Sequence, residues 1–196
     1  MIDKLFFFLK LGFNHVLDFT ALDHVLFLVV MALPFSLKHW KDLIIIVSIF
    51  TIGHSVSMLV VYMGLYPHSM NWIELMISLS IVLVATKNIF TNKKSTRTYD
   101  RKWFYWLVTL FFGLIHGFGF GSFFRQASDQ GEAFVTLVGF AFGVEVAQLM
   151  VVGIVVLLNY ILIQRIKVVE FFWLLFVSSI VLIEATRMVI RNIMEL

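Results

Sequence analysis

Six apolar runs take up most of this chain, and they decide what it can become. They extend over Leu22 to Leu37, Leu43 to Leu65, Trp72 to Phe90, Trp103 to Phe124, Ala133 to Ile163 and Phe171 to Ile190. A helix that crosses a bilayer needs roughly 17–25 mostly apolar residues, so the first run is short and the fifth is long enough to tilt. Of the 196 residues, 61% are hydrophobic and 14% charged, too much apolar surface for a water-soluble monomer of this size to hide. The sequence predicts an all-α polytopic membrane bundle of six transmembrane helices. One integral membrane domain is expected to span residues 1–196.

Residues 3–14 are too short to span alone. Asp3, Lys4 and Lys10 flank aromatic bulk there, which predicts a short interfacial helix on the membrane. The competing reading is that this stretch extends the first span. No small-residue cleavage site follows Leu5 to Phe8, so no cleaved leader is expected.

Loop charge sets the expected orientation. Lys38 and Lys41, then Lys93, Lys94, Arg97, Arg101 and Lys102, then Arg165 and Lys167 place nine basic residues in alternate loops. The positive-inside rule puts those loops, including 91–102, in the cytoplasm of a bacterial-type inner membrane, with both termini outside. The net charge of +3 is therefore an orientation signal, and no nucleic-acid partner is expected. The expected partners are a metal ion and the lipid bilayer.

Against this apolar background the ionisable residues stand out, because charge inside a membrane is costly and usually functional. His15, Asp18, Asp23 and His24 surround the start of the first run. His54 lies in the second, Glu74 opens the third, His116 lies in the fourth, and Glu145 with Gln148 lies in the fifth. Glu184 and Arg187 in the sixth are spaced for an intrahelical ion pair. His39 and His68 read as loop residues. His24, His54, His116, Glu74 and Glu145 fall between the midplane and the outer surface, which points to one shared site.

The residue types suit a divalent transition metal. Imidazole nitrogen with carboxylate oxygen serves zinc, nickel, cobalt or ferrous iron. The chain has no cysteine, which removes thiolate sites. The expected metal residues are His15, Asp23, His24, His54, His116 and Glu145, supported by Asp18, Ser55, Glu74 and Gln148. Asp23 and His24 are adjacent, about 100° apart on a helix, so both face a bundle centre only if the helix is broken there. Gly113, Gly117 and Gly121 recur every four residues around His116, and Gly53, Gly139 and Gly143 flank His54 and Glu145. Small residues at that spacing let helices approach closely. The 22 phenylalanines are read as lipid contact and interfacial anchoring.

Three functions suit such a site. A metal permease binds an ion on one side and releases it on the other. An intramembrane zinc hydrolase uses histidines plus a water, with Glu145 or Asp23 as base and Ser55 placing a substrate. A bis-histidine haem protein needs only the histidines. No Gly-Lys-Ser/Thr nucleotide loop occurs, so any transport is passive, ion-coupled or partner-driven.

Five segments carry a family resemblance, in order. They are Gly12 to Asp18 with Asp23 to Leu28, then Phe50-Thr51-Ile52-Gly53-His54-Ser55, then Trp72-Ile73-Glu74-Leu75 through Asn88. Gly113 to Phe120 and Gly143 to Leu149 complete the set. Together they resemble the HupE/UreJ family over residues 12 to about 150. That family is associated with hydrogenase and urease accessory gene sets. The resemblance implies a small permease for nickel, sometimes cobalt, and its motifs fall on the histidines and acids named above.

Overall fold

The structure is a computed structural model that describes residues 2–18, 21–65, 70–90, 102–127 and 133–196. Among them are seven α-helices and no strand: α1 (Ile2–Val16), α2 (Asp23–Ala32), α3 (Trp40–Tyr62), α4 (Met70–Ile89), α5 (Lys102–Ala127), α6 (Ala133–Asn159) and α7 (Glu170–Met194). A 3₁₀ turn, Leu37–His39, leads into α3, and a π turn, Tyr160–Arg165, continues α6. The loop 91–101 and His68 lie outside the described residues.

Among the described residues, five helices are long and apolar enough to cross a membrane: the stretch Leu37–Tyr62 that contains α3, then α4, α5, α6 with its π turn, and α7. Helices suit that environment because each segment pairs its own backbone where no water can. Their outward faces are apolar, with Ile52 and Val56 on α3, Phe142 and Ile154 on α6, and Phe176 and Ile183 on α7 all exposed.

The expected first span is not one helix. α2 has only ten residues, about 15 Å of rise against a hydrocarbon core of about 30 Å. Its last intrahelical bond runs from the Leu33 amide to the Val29 carbonyl, and Pro34 follows with no amide to continue the ladder. Ser36 then starts the 3₁₀ turn, its hydroxyl 3.1 Å from Nδ1 of His39.

The N-terminal segment also differs from a helix lying apart on the membrane. α1 packs lengthwise and in parallel along α6. A Cβ at Gly139 would meet the Leu5 carbonyl, one at Gly143 the Leu9 carbonyl, and one at Gly12 the Phe140 carbonyl. Farther along the same helix, Asn159 donates to the carbonyls of Leu33 (2.9 Å) and Phe35 (3.1 Å), just past the end of α2. Thus α1 and α2 follow α6 in one direction, one after the other, with a joint between them at which Leu17, Asp18, Ala21 and Leu22 are not helical. The packing favours the reading in which residues 3–14 extend the first span.

The other helices pair as simply. α3 and α5 run parallel, Gly113 against the Phe50 carbonyl and Gly117 against that of His54. α4 and α7 are antiparallel, Asn192 reaching Ser78, and Asn71 reaching the Glu195 carbonyl. Asn88 near the end of α4 donates to Val30 at 2.7 Å, which ties α2 into the same bundle. Phe27 of α2 stacks on Phe112 of α5, ring centroids 3.5 Å apart, in the middle of the core.

Candidate metal centre

Asp23 is the first residue of α2, and that position resolves its conflict with His24. At a helix start the side chain is free to fold back. One carboxylate oxygen accepts the His24 backbone N–H at 2.8 Å and lies 3.1 Å from Nδ1 of His24. The other lies 3.2 Å from Nε2 of His116. One carboxylate therefore sits between two imidazoles from different helices. Each of the three residues offers a ligand atom within 4.8 Å of the others, a grouping able to hold a metal ion.

Two more histidines close around them. The His15 ring, from the last turn of α1, is centred 4.7 Å from His24 and 5.8 Å from His54. The His54 ring, from α3, is 6.2 Å from His24, and the rings of His24 and His116 are 4.0 Å apart. α1, α2, α3 and α5 each supply one imidazole. Gly117 has no side chain to hold α5 away from His54, which permits that convergence.

The cluster is aromatic-walled. Phe112 is 4.1 Å from His116, Phe120 is 4.2 Å from His15, and Phe50 and Phe140 stack against His54 at 5.6 and 5.9 Å. Phe50, Phe112 and Phe140 are almost wholly buried. Reading the phenylalanines as lipid-facing therefore misses these wall residues. The signal was spacing: Phe50 stands four residues before His54, and Phe112 and Phe120 stand four either side of His116, on the same helix faces.

Most of the imidazole nitrogens are buried without a hydrogen-bond partner. These are Nε2 of His15, Nε2 of His24, both nitrogens of His54 and both of His116. Nε2 of His116 is close to Asp23 but outside hydrogen-bond geometry. Buried polar groups are normally satisfied, and each orphan costs about 1–3 kcal/mol. A site with this many lone pairs and N–H groups turned on one another fits a cation ligand set.

The remaining predicted residues fall elsewhere. Glu145 of α6 accepts the Ser48 hydroxyl of α3 at 2.7 Å, and Gln148 accepts that of Thr51 at 3.2 Å. Neither joins the compact Asp23–His24–His116 group. Asp18 is exposed at the joint after α1, and Ser55 is half-buried beside His54. Glu74 is exposed on α4 and lines a cavity that also reaches Asp23. Glu184 pairs with Arg187 at 3.0 Å on the surface of α7. Ser57, unmarked by its sequence neighbourhood, is fully buried and donates to the carbonyls of Gly53 and His54, which fixes the α3 backbone under its histidine.

Helices long enough to span a bilayer, enclosing a buried histidine–carboxylate cluster, define a polytopic membrane protein with a metal-type ligand set. No curated protein and no solved structure matches the chain. The HupE / UreJ protein family model, in contrast, matches residues 1–192, and the chain belongs to that family.

Proposed function

We propose that this protein is a permease for a divalent transition metal of the nickel or cobalt class, the ion being cargo held in passing by His15, Asp23, His24, His54 and His116. The observation that carries the reading is the set of buried, unpartnered imidazole nitrogens gathered on one carboxylate. Family membership supports the metal class.

The joint between α1 and α2 supports movement rather than permanent storage. Broken helices at membrane depth are tolerated where they line a site, and transporters place their substrates at such breaks. α1 ends beside the cluster, and the partial negative charge of a helix C-terminus favours a cation. The opposite partial charge at the start of α2 is offset by Asp23 itself. Several ligands, each able to let go, suit conduction better than one tight cage.

Protons compete with the metal for imidazole, so binding strengthens as pH rises and is lost as pH falls. The test is nickel content of purified protein, with nickel uptake into proteoliposomes. His116→Ala and Asp23→Asn each lose both, while wild type loses both progressively as the pH is lowered. Variants that load and transport like wild type overturn the reading. The proposed orientation keeps both termini outside and residues 91–102 inside. Labelling of a cysteine at Ser95 from outside intact cells would reverse it.

A further inference from the structure

Asp23 has two faces. One meets His24 and His116. The other forms part of the wall of a cavity of about 220 Å³ between the start of α2, the first turns of α4 and the last turns of α7. Glu74, Glu184, Met188, Arg191 and Asn192 line it as well. Asp23 is the one residue common to the cavity and the compact metal-type group.

The lining is oxygen-rich, unlike the imidazole cluster behind it. Asn192 is 2% exposed, and its amide nitrogen reaches Ser78 at 3.4 Å. Its Oδ1 is buried without a hydrogen-bond partner and closed to solvent, so the amide braces the wall rather than facing the cavity. The carboxylates of Asp23, Glu74 and Glu184 line the cavity, and their negative charge attracts a divalent cation that still carries water. Arg191 brings a positive charge to the same wall, and Glu184 is already engaged by Arg187. The opposing charge keeps the set from holding an ion tightly.

We infer that this cavity is the entrance chamber of the permease. A hydrated divalent cation is drawn in by the exposed charge of Glu74, reaches Asp23 at the inner wall, then passes to the imidazoles behind it. This rests on the reading of the histidine cluster as the cargo site. The charged wall gathers cations, and the weak set releases them inward. Glu74 and Arg191 act in opposite directions on that capture.

The experiment is stopped-flow association of nickel with the purified full-length chain in nanodiscs, followed by competition with a chromophoric chelator. Glu74→Gln slows association on the order of tenfold at low salt, Arg191→Gln speeds it, and both keep the wild-type number of ions at saturation. Raising the salt shrinks both differences, because exposed charges are screened. A merely structural role for either side chain does not give opposite signs. If wild type binds nickel, His116→Ala does not, and both variants associate at the wild-type rate, the entrance chamber falls while the cargo site stands. If wild type binds no divalent metal, both readings fall.

Discussion

The two sides of the bundle are built on different terms. Where α1 meets α6 and α3 meets α5, backbone lies on backbone: Gly12 on Phe140, Gly143 on Leu9, Gly113 on Phe50, Gly117 on His54. Neither α4 nor α7 contains a glycine. They meet through Ser78 and Asn192 and leave a cavity at one end. The close-packed side holds three of the four imidazoles, those of His15, His54 and His116. The looser side holds the open approach to Asp23. A site that must arrange ligands to a fraction of an ångström belongs where helices cannot slide, since dense interiors transmit every displacement. A passage belongs where they leave room.

The sharpest way to test the close-packed side is to add one methyl group where its backbones touch and one where a helix of the same side faces outward. Gly117→Ala drives a Cβ into the His54 carbonyl and the Ser57 hydroxyl, with backbone on one side unable to yield. Overpacking of this kind costs about 1–3 kcal/mol, so the melting temperature in detergent falls by about 5 °C and nickel binding weakens with it. Gly153→Ala, on the same helix as Gly143, meets nothing within 4 Å and leaves the melting temperature unchanged or slightly raised. Equal shifts for the two would mean that close approach does not organise the site.

A smaller effect is expected at the seam between the sides. Asn159 donates to Leu33 and Phe35 and accepts the Trp173 indole N–H at 2.8 Å, joining the end of α2 to α6 and α7. Asn159→Leu keeps the volume and strands two carbonyls and an indole. Intramembrane bonds average well below their expected strength, so the loss is about 1–2 kcal/mol. Hydrogen exchange of the amides around residues 30–36 should quicken more than that of α5. Uniform quickening would deny Asn159 its place as a local staple.

How far the sequence could be read follows from these same residues. The long helices were legible because apolar length is a one-dimensional property. His24, His54 and His116 lie near one another in the structure, with the His24 ring 6.2 Å from that of His54 and 4.0 Å from that of His116. The joint between α1 and α2 was not legible, because two short helices stacked along α6 leave the same hydropathy trace as an interfacial helix followed by a short span. Direction around the helix axis was equally hidden. Phe50, Phe112 and Phe140 face inward, yet among so many phenylalanines nothing in composition separates a wall residue from a lipid-facing one. Glu145 shows the same limit: its depth suits the cluster, but its carboxylate meets Ser48 instead.

Glu145 therefore provides the finest test, and the smallest expected effect. On α3, Ser48 lies six residues before His54, about 9 Å along the axis, with Thr51 between them. The pairs Thr51–Gln148 and Ser48–Glu145 thus lead away from the histidines along the α3–α6 contact. Glu145→Gln keeps an oxygen for the Ser48 hydroxyl and nearly the same volume. Nickel stoichiometry at equilibrium should match wild type, and stability should change by no more than about 0.5 kcal/mol. Glu145→Ala, which removes the acceptor altogether, should cost more in stability, about 1 kcal/mol, and still bind nickel. Metal analysis of the two variants beside wild type separates the cases. Full binding in both would make Glu145 a helix–helix contact, as its hydrogen bond to Ser48 indicates. A loss of nickel in Glu145→Gln with the fold intact would extend the cation path down the close-packed side, and rigidity there would no longer be reserved for the histidines.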